Sequence, residues 1–305
     1  MKKIQNPNAY AEKALLTKIR ISAWTGKAKA KRVDNLATET FGASRGSTRT
    51  SKALIADEPT WTRLVKAGRD AKRLWEEWSS PWQDGGIRMI AASSFMAFGK
   101  RVENAIEEFN DAADAFADAY EAIVPRQADR LKGLFDPQNY PSPGDVRRRF
   151  KIVCDYFPVP TSDDFRCELV DDQMDKLRKS TEDAVAVSLE RASRDPWDRL
   201  MTVLKTMSAT LSDPDKTFRD SLFENVSALV EMIPALNMFG NEDLDKIAAQ
   251  VREQICSVDP DAVRDPKSRR SSYAELARSS DAQAKRTEVK AKADGIIAKM
   301  ESLGL

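Results

Sequence analysis

From Phe95 to Ile123 the apolar residues follow one another in steps of three or four: Phe95, Phe98, Val102, Ile106, Phe109, Ala113, Phe116, Tyr120 and Ile123. That spacing lines one face of an α-helix, because side chains three and four apart share a face. A helix from about Ser94 to Val124 would be about 45 Å long. Pro125 is its expected end or kink, since proline lacks the N–H that the helical ladder needs. The opposite face carries Glu103, Glu107, Glu108, Asp111, Asp114 and Asp118. The predicted fold is mainly α: an elongated helical bundle around one long central helix, with a small β-hairpin or three-stranded insertion.

Further helices obey the same logic. In "DEPTWTRLVKAGRDAKRLWEEW" Asp57 is the expected N-cap and Pro59 lies in the first turn, with Trp61, Leu64, Val65, Leu74, Trp75 and Trp78 inward. "SSPWQDGG" then breaks the pattern. Ser142 and Pro143 open a short helix, and two separate helices are predicted on Met174–Leu189 and Trp197–Leu211. Two more run through Phe218–Ile233 and Leu244–Ile255.

Strict alternation appears twice. Phe150, Ile152, Cys154 and Tyr156, with Phe165, Cys167 and Leu169 beyond a proline-rich turn, read as a β-hairpin near 148–170. Ile19, Ile21 and Ala23 in "KIRISAW" supply a third strand that could join it. The expected organisation is a basic N-terminal region over 1–56, a bundle over 57–258, and a linker with a C-terminal helix over 259–305. That last helix has a sparse apolar stripe, Ile296, Ile297, Met300 and Leu303, which packs weakly or waits for a partner.

Composition removes whole classes of chemistry. The chain has no histidine, so Ser-His-Asp and Cys-His catalysis and histidine-bearing zinc sites are excluded. No catalytic motif is found, and a non-enzymatic protein without a cofactor is expected. Cys154, Cys167 and Cys256 form no C-x-x-C pair, which points to a reducing compartment and a cytoplasmic protein. Cys154 and Cys167 are read as two small buried hydrophobes in preference to a disulfide. No window reaches the roughly 18 apolar residues that a membrane-spanning helix needs.

Charge is balanced in total and segregated in sequence. The formal net charge is +1, yet residues 1–75 hold seventeen Lys/Arg against six Asp/Glu, a net of +11 that leaves about −10 on the rest.

The order of several short runs is familiar: "LLTKIRISAWTGKAKAKRV", "LIADEPTW", "SPWQDGGIRMI", "LFDPQNYPS" and "FPVPTSDDFRCELV". Together, over roughly residues 10–190, they resemble an uncharacterised family of tailed-phage and bacterial proteins. Some of its members are encoded near AAA+ ATPases of the MoxR/CobS type. The resemblance implies a mostly helical intracellular protein, in the host cytoplasm if phage-encoded, and an accessory role beside such an ATPase. It carries over no catalytic or ligand-binding residue.

The candidate contact residues are basic. Lys27, Lys29, Lys31 and Arg32 come after Gly26, and Arg45, Arg49 and Lys52 lie close behind. They do not make a phosphate-binding P-loop, because Gly26-Lys27 is succeeded by Ala28 and Ile21 stands where the first glycine belongs. Two readings remain open. The cations could neutralise nucleic-acid phosphates, with Trp24 stacking on a base. Alternatively Trp24 sits in the core and the cations face the acidic helix of the same molecule or of a neighbour. The pairs Asp163/Asp164, Asp171/Asp172 and Glu107/Asp111 have no nuclease or polymerase spacing and are read as helix surface or N-caps. The function expected first is self-assembly or docking to a protein partner. Nucleic-acid binding comes second, and membrane insertion by a helical hairpin last.

Overall fold

A computed structural model describes residues 12–83, 86–161, 171–213, 218–264 and 273–303. The chain is mainly helical with small β-sheet elements. In order it forms β1 (Ala14–Ser22), β2 (Lys27–Lys29), α1 (Lys31–Phe41), β3 (Ser51–Ala53) and α2 (Pro59–Glu77). Then come β4 (Ser80–Gln83), β5 (Ile87–Ala91), α3 (Phe95–Leu131), α4 (Pro143–Val146) and β6 (Lys151–Pro158). The remainder is helical: α5 (Asp171–Leu211), α6 (Ser221–Leu236), α7 (Glu242–Val251) with a π-turn over Arg252–Cys256, α8 (Pro260–Val263) and α9 (Tyr273–Ser302).

Contacts divide the chain into two compact units, both discontinuous in sequence. The first is Lys18–Glu76 with Ala97–Asp155, and the second holds the described residues up to Thr17, Glu77–Met96 and the described residues from Tyr156 on.

In the first unit, α2 lays Leu64, Ala67 and Ala71 against Phe109, Ala112, Ala113, Phe116, Tyr120 and Ile123 of α3. Burying an Ile, Leu or Phe side chain contributes about 1.5–3 kcal/mol, so this row dominates the unit's stability. Val65, expected inward, is exposed. An aromatic cluster closes the core: Trp24 and Trp61 lie 5.9 Å apart, Trp61 and Phe116 5.1 Å, and Phe116 and Phe150 5.8 Å. Gly26 turns the chain beside that cluster with φ of 61°, and a Cβ there would stand 2.6 Å from the Trp61 ring. Only glycine combines that backbone with that approach.

Both long helices run through a proline, and α3 does so at Pro125, expected as its end or a kink. Helix α3 has 37 residues with Pro125 inside, and α5 has 41 residues with Pro196 inside. An interior proline costs about 3 kcal/mol, and anchors in the next turns offset it. Beyond Pro125, Gln127 and Arg126 are tied to residues 56–58 by hydrogen bonds. Beyond Pro196, Trp197, Leu200, Leu204 and Met207 are buried. The expected long helix forms as α3, α5 is a second one, and the two helices predicted between Met174 and Leu211 are one.

The start of α2 also differs from expectation. Asp57 takes a left-handed φ of 58°, and the Glu58 carbonyl accepts the first helical bond from Thr62 N–H at 3.0 Å. The helix is thus entered from Glu58, whose side chain is buried, and not from Asp57.

Strand β6 is where alternation predicts it. The proposed return strand on Phe165, Cys167 and Leu169, and with it the Cys154–Cys167 proximity, lies outside the described residues. The strand in "KIRISAW" forms as β1 and neighbours β6 in a four-stranded sheet of order β4-β5-β1-β6. The small sheet has four strands, drawn from three separate stretches of the chain. Strand β5 pairs antiparallel with β1, Ala14 opposite Ala91, and with β4, Ser80 opposite Met89. Strand β4 occupies the segment expected only to break a helix, and β5 follows directly after it.

In the second unit, Ala14, Leu16, Trp82 and Met89 of the sheet pack on Val185, Leu189 and Ala192 of α5. Its larger core joins α5, α6, α7 and α9. The C-terminal helix is part of that core. Ile296 and Met300 are fully buried, Ile297 packs at the edge and Leu303 is exposed. Its stripe is wider than large apolar residues alone indicate, because Ala282, Val289 and Ala293 extend it.

Candidate functional site: a cationic hairpin and its cleft

The seven basic residues singled out by sequence lie on one short stretch of the first unit. Strands β2 and β3 pair antiparallel with Lys27 opposite Ala53, Ala28 opposite Lys52 and Lys29 opposite Ser51. Leu54 N–H adds a 2.7 Å bond to the Gly26 carbonyl. Lys27 and Lys29 are exposed on β2. Lys31 and Arg32 are the first two residues of α1, and Arg45 and Arg49 are exposed on the loop that returns to β3.

Asp34 builds that loop. Its Oδ1 accepts from Thr50 N–H at 2.7 Å, while Ala30 N–H donates to the Thr50 carbonyl at 2.9 Å. Asp34 and Glu39 are the two acidic residues between Lys18 and Lys52, which contain nine Lys/Arg. One of those two carboxylates is thus engaged by a backbone amide. The segment keeps a net charge of +7.

Lys29, Lys31, Arg32 and Lys52 line a cleft of about 780 Å³ whose other wall is Gly133–Pro137 with Asn139. Two of the four reach across it. Arg32 Nη1 donates to the Gly133 carbonyl at 3.0 Å, and Lys52 Nζ to the Leu134 carbonyl at 2.6 Å. These carbonyls lie just past the C-terminus of α3, the negative end of its dipole, where cations are favoured. The one carboxylate in the lining is Asp136, and its Oδ1 accepts from Gln138 N–H at 3.0 Å.

No ion pair with any other described residue forms at Lys27, Lys29, Lys31, Arg32, Arg45, Arg49 or Lys52. The acidic face of α3 finds other partners in part. Arg63 binds Glu108 at 3.0 Å and Arg147 binds Asp114. Glu103, Glu107, Asp111 and Asp118 are exposed and make no ion pair with described residues. The expectation that the cations face the acidic helix of the same molecule is therefore not met among these residues. Of the two placements weighed for Trp24, the structure favours packing on the core: half-buried at its edge, it lies 5.9 Å from Trp61 and 6.3 Å from both Tyr120 and Tyr140. It is not a free stacking platform.

Helix α1 has no buried residue, and Leu36 and Phe41 are 63% and 82% exposed. The cationic stretch thus carries bare apolar side chains as well. Sequence reasoning found the cations and missed what organises them, namely Asp34, the Gly133 and Leu134 carbonyls and Asp136. The segment "TRTSK" held a weak signal for β3; nothing in "LKGLFDP" announces a wall opposite Arg32, 101 residues before Gly133, and Lys52, 82 residues before Leu134.

Comparison with protein-family models, with curated proteins and with solved structures gives no match. Among the described residues no group of three or more His, Cys, Asp or Glu could hold a metal ion, and no helix is long and apolar enough to cross a membrane.

Proposed function

We propose that this chain works by association, and that the cationic hairpin of one copy docks on the acidic face of α3 of another. The observation that carries the reading is the pair of unmatched surfaces in one unit. Seven cations and the carboxylates of Glu103, Glu107, Asp111 and Asp118 make no ion pair with other described residues. Arg32 and Lys52 each bond a carbonyl of the 133–139 wall, while the other five cations and the four carboxylates are exposed. Complementary potentials speed encounter and fix register between partners.

Two further features support it. Leu36 and Phe41 give the cationic side exposed apolar surface, which an interface would cover. The net charge of +1 leaves little overall repulsion between copies. The phage-family resemblance adds an AAA+ ATPase as a second protein partner, approached through the same cations.

Sedimentation over a concentration series tests the reading. At low salt the protein should assemble, and the assembly should dissolve as salt rises, since screening shortens from about 10 Å at 0.1 M to about 3 Å at 1 M. A strict monomer at high concentration and low salt would overturn it. If that monomer shifted DNA instead, with a steep loss of binding as salt rises, the cations would belong to a nucleic-acid contact.

A further inference from the structure

The cleft between the hairpin and the 133–139 wall differs from a flat charged surface, and we infer that it binds a phosphorylated small molecule with a flat apolar part, of the nucleoside di- or triphosphate class. The inference stands on the cleft alone and does not depend on association between copies.

Size comes first. A cleft of about 780 Å³ suits a molecule of nucleotide size, since small-molecule sites fall at roughly 300–1,000 Å³. It is far too small to seat a duplex.

Charge comes second. Four cations line it, and the single lining carboxylate, Asp136, accepts a bond from its own turn. Arg32 and Lys52 each spend one donor on a carbonyl of the far wall. A guanidinium has five N–H donors and an ammonium three, so both keep donors for a ligand while their tips are held in place. Lys29 and Lys31 make no side-chain hydrogen bond or ion pair with described residues, and they supply the mobile charge that diphosphate oxygens attract. Four unpaired cations around one cavity repel one another, and a bound polyphosphate relieves that repulsion.

Shape comes third. The wall is not uniformly polar: Leu134, 36% exposed, and the half-buried Phe135 line it beside Pro137. Phe135 is braced by Tyr140, with ring centroids 5.2 Å apart. A planar base can lie against such a surface while its phosphates meet the cations, which inorganic phosphate alone would not exploit.

Calorimetric titration of the full chain with ATP, ADP, pyrophosphate and adenosine tests the proposal. ATP and ADP should bind with Kd below about 1 mM, pyrophosphate more weakly, and adenosine weakest of all. Lys29→Ala with Lys31→Ala should weaken ATP by about tenfold. Because neither side chain is bonded to a described residue, that loss cannot be ascribed to a loosened fold. Arg32→Ala with Lys52→Ala should weaken it at least as much. Absence of heat with ATP and ADP at low salt would overturn the inference, and so would binding unchanged in the Lys29/Lys31 double variant. Adenosine binding as tightly as ATP would overturn the role given to the cations. A chain that stays monomeric yet binds ATP would sink the association reading and leave this one standing.

Discussion

Arg126 grips Glu58 with two parallel bonds, Nε to Oε1 at 3.0 Å and Nη2 to Oε2 at 2.7 Å, and Glu58 is the buried partner, with its side chain 9% exposed. Gln127 Nε2 adds a third bond to Oε1 at 3.0 Å and also donates to the Ala56 carbonyl at 3.1 Å. This cluster fastens the turn of α3 just past Pro125 to the residues that start α2.

Removing the carboxylate should therefore be felt in the fold. Glu58→Ala strips both helices of their shared anchor and leaves the buried Gln127 amide one partner short. Denaturant unfolding should show a loss of about 2–4 kcal/mol. A loss under about 0.5 kcal/mol would mean that the pair is ornamental, as exposed pairs usually are.

The same carboxyl sets a pH dependence. The Arg126 hydrogen bonds hold Glu58 below its ordinary value of 4.5, burial opposing them. A depressed carboxyl stabilises the folded chain fully above the unfolded value. That contribution is lost as pH falls from about 4.5 through the folded value. Glu58→Gln should flatten the acid side of the stability profile; an unchanged slope between wild type and variant would refute the assignment.

The C-terminal helix should behave as core. Arg286, 5% exposed, donates from Nε to the Leu211 carbonyl at 3.1 Å and from Nη2 to the Thr210 carbonyl at 2.8 Å, and lies 5.6 Å from the Phe218 ring centroid. Arg286→Ala and Met300→Ala should each cost about 2–4 kcal/mol, and Leu303→Ala close to nothing. Thermal unfolding decides between them. Equal, small effects at all three positions would return the helix to the partner-seeking role that its sparse stripe implies.

Gly26 and Gly46 make a matched pair. Both have positive φ, but a Cβ at Gly26 meets the Trp61 ring at 2.6 Å, whereas none of the atoms around Gly46 comes within 4 Å. Gly46→Ala should cost about 1 kcal/mol for backbone strain alone, and Gly26→Ala about 2–4 kcal/mol because strain and overlap add. Chemical denaturation giving the same cost at both sites would count against the packing of the hairpin on the aromatic cluster.

These residues also show how far the sequence could be read. The period from Phe98 to Ile123 marks the buried face of α3 correctly, because so many apolar residues at that spacing share one side of a helix. Pro125, read as the end or a kink of α3, is not its end, and Pro196 lies inside a helix read as two. A local cost of about 3 kcal/mol says nothing of the anchors that Arg126, Gln127 or Trp197 find elsewhere. Strands β4 and β5 were hidden by Pro81 and by the brevity of "SPWQ", although the adjoining Asp-Gly-Gly is a recognised hairpin signal. In the candidate site the lysines were visible and their surroundings were not. The wall at Gly133–Pro137 meets Arg32 and Lys52 only through backbone carbonyls, which every sequence possesses.

The most direct measurement of the central claim is a charge exchange read by sedimentation at low salt. One variant carries Lys29→Glu and Lys31→Glu, the other Glu107→Lys and Asp111→Lys. Each alone should sediment as a monomer, and an equimolar mixture should associate, because every reversed surface then finds its complement on the other protein. Variants that assemble like the wild type, or a mixture that stays monomeric beside an assembling wild type, would contradict the account.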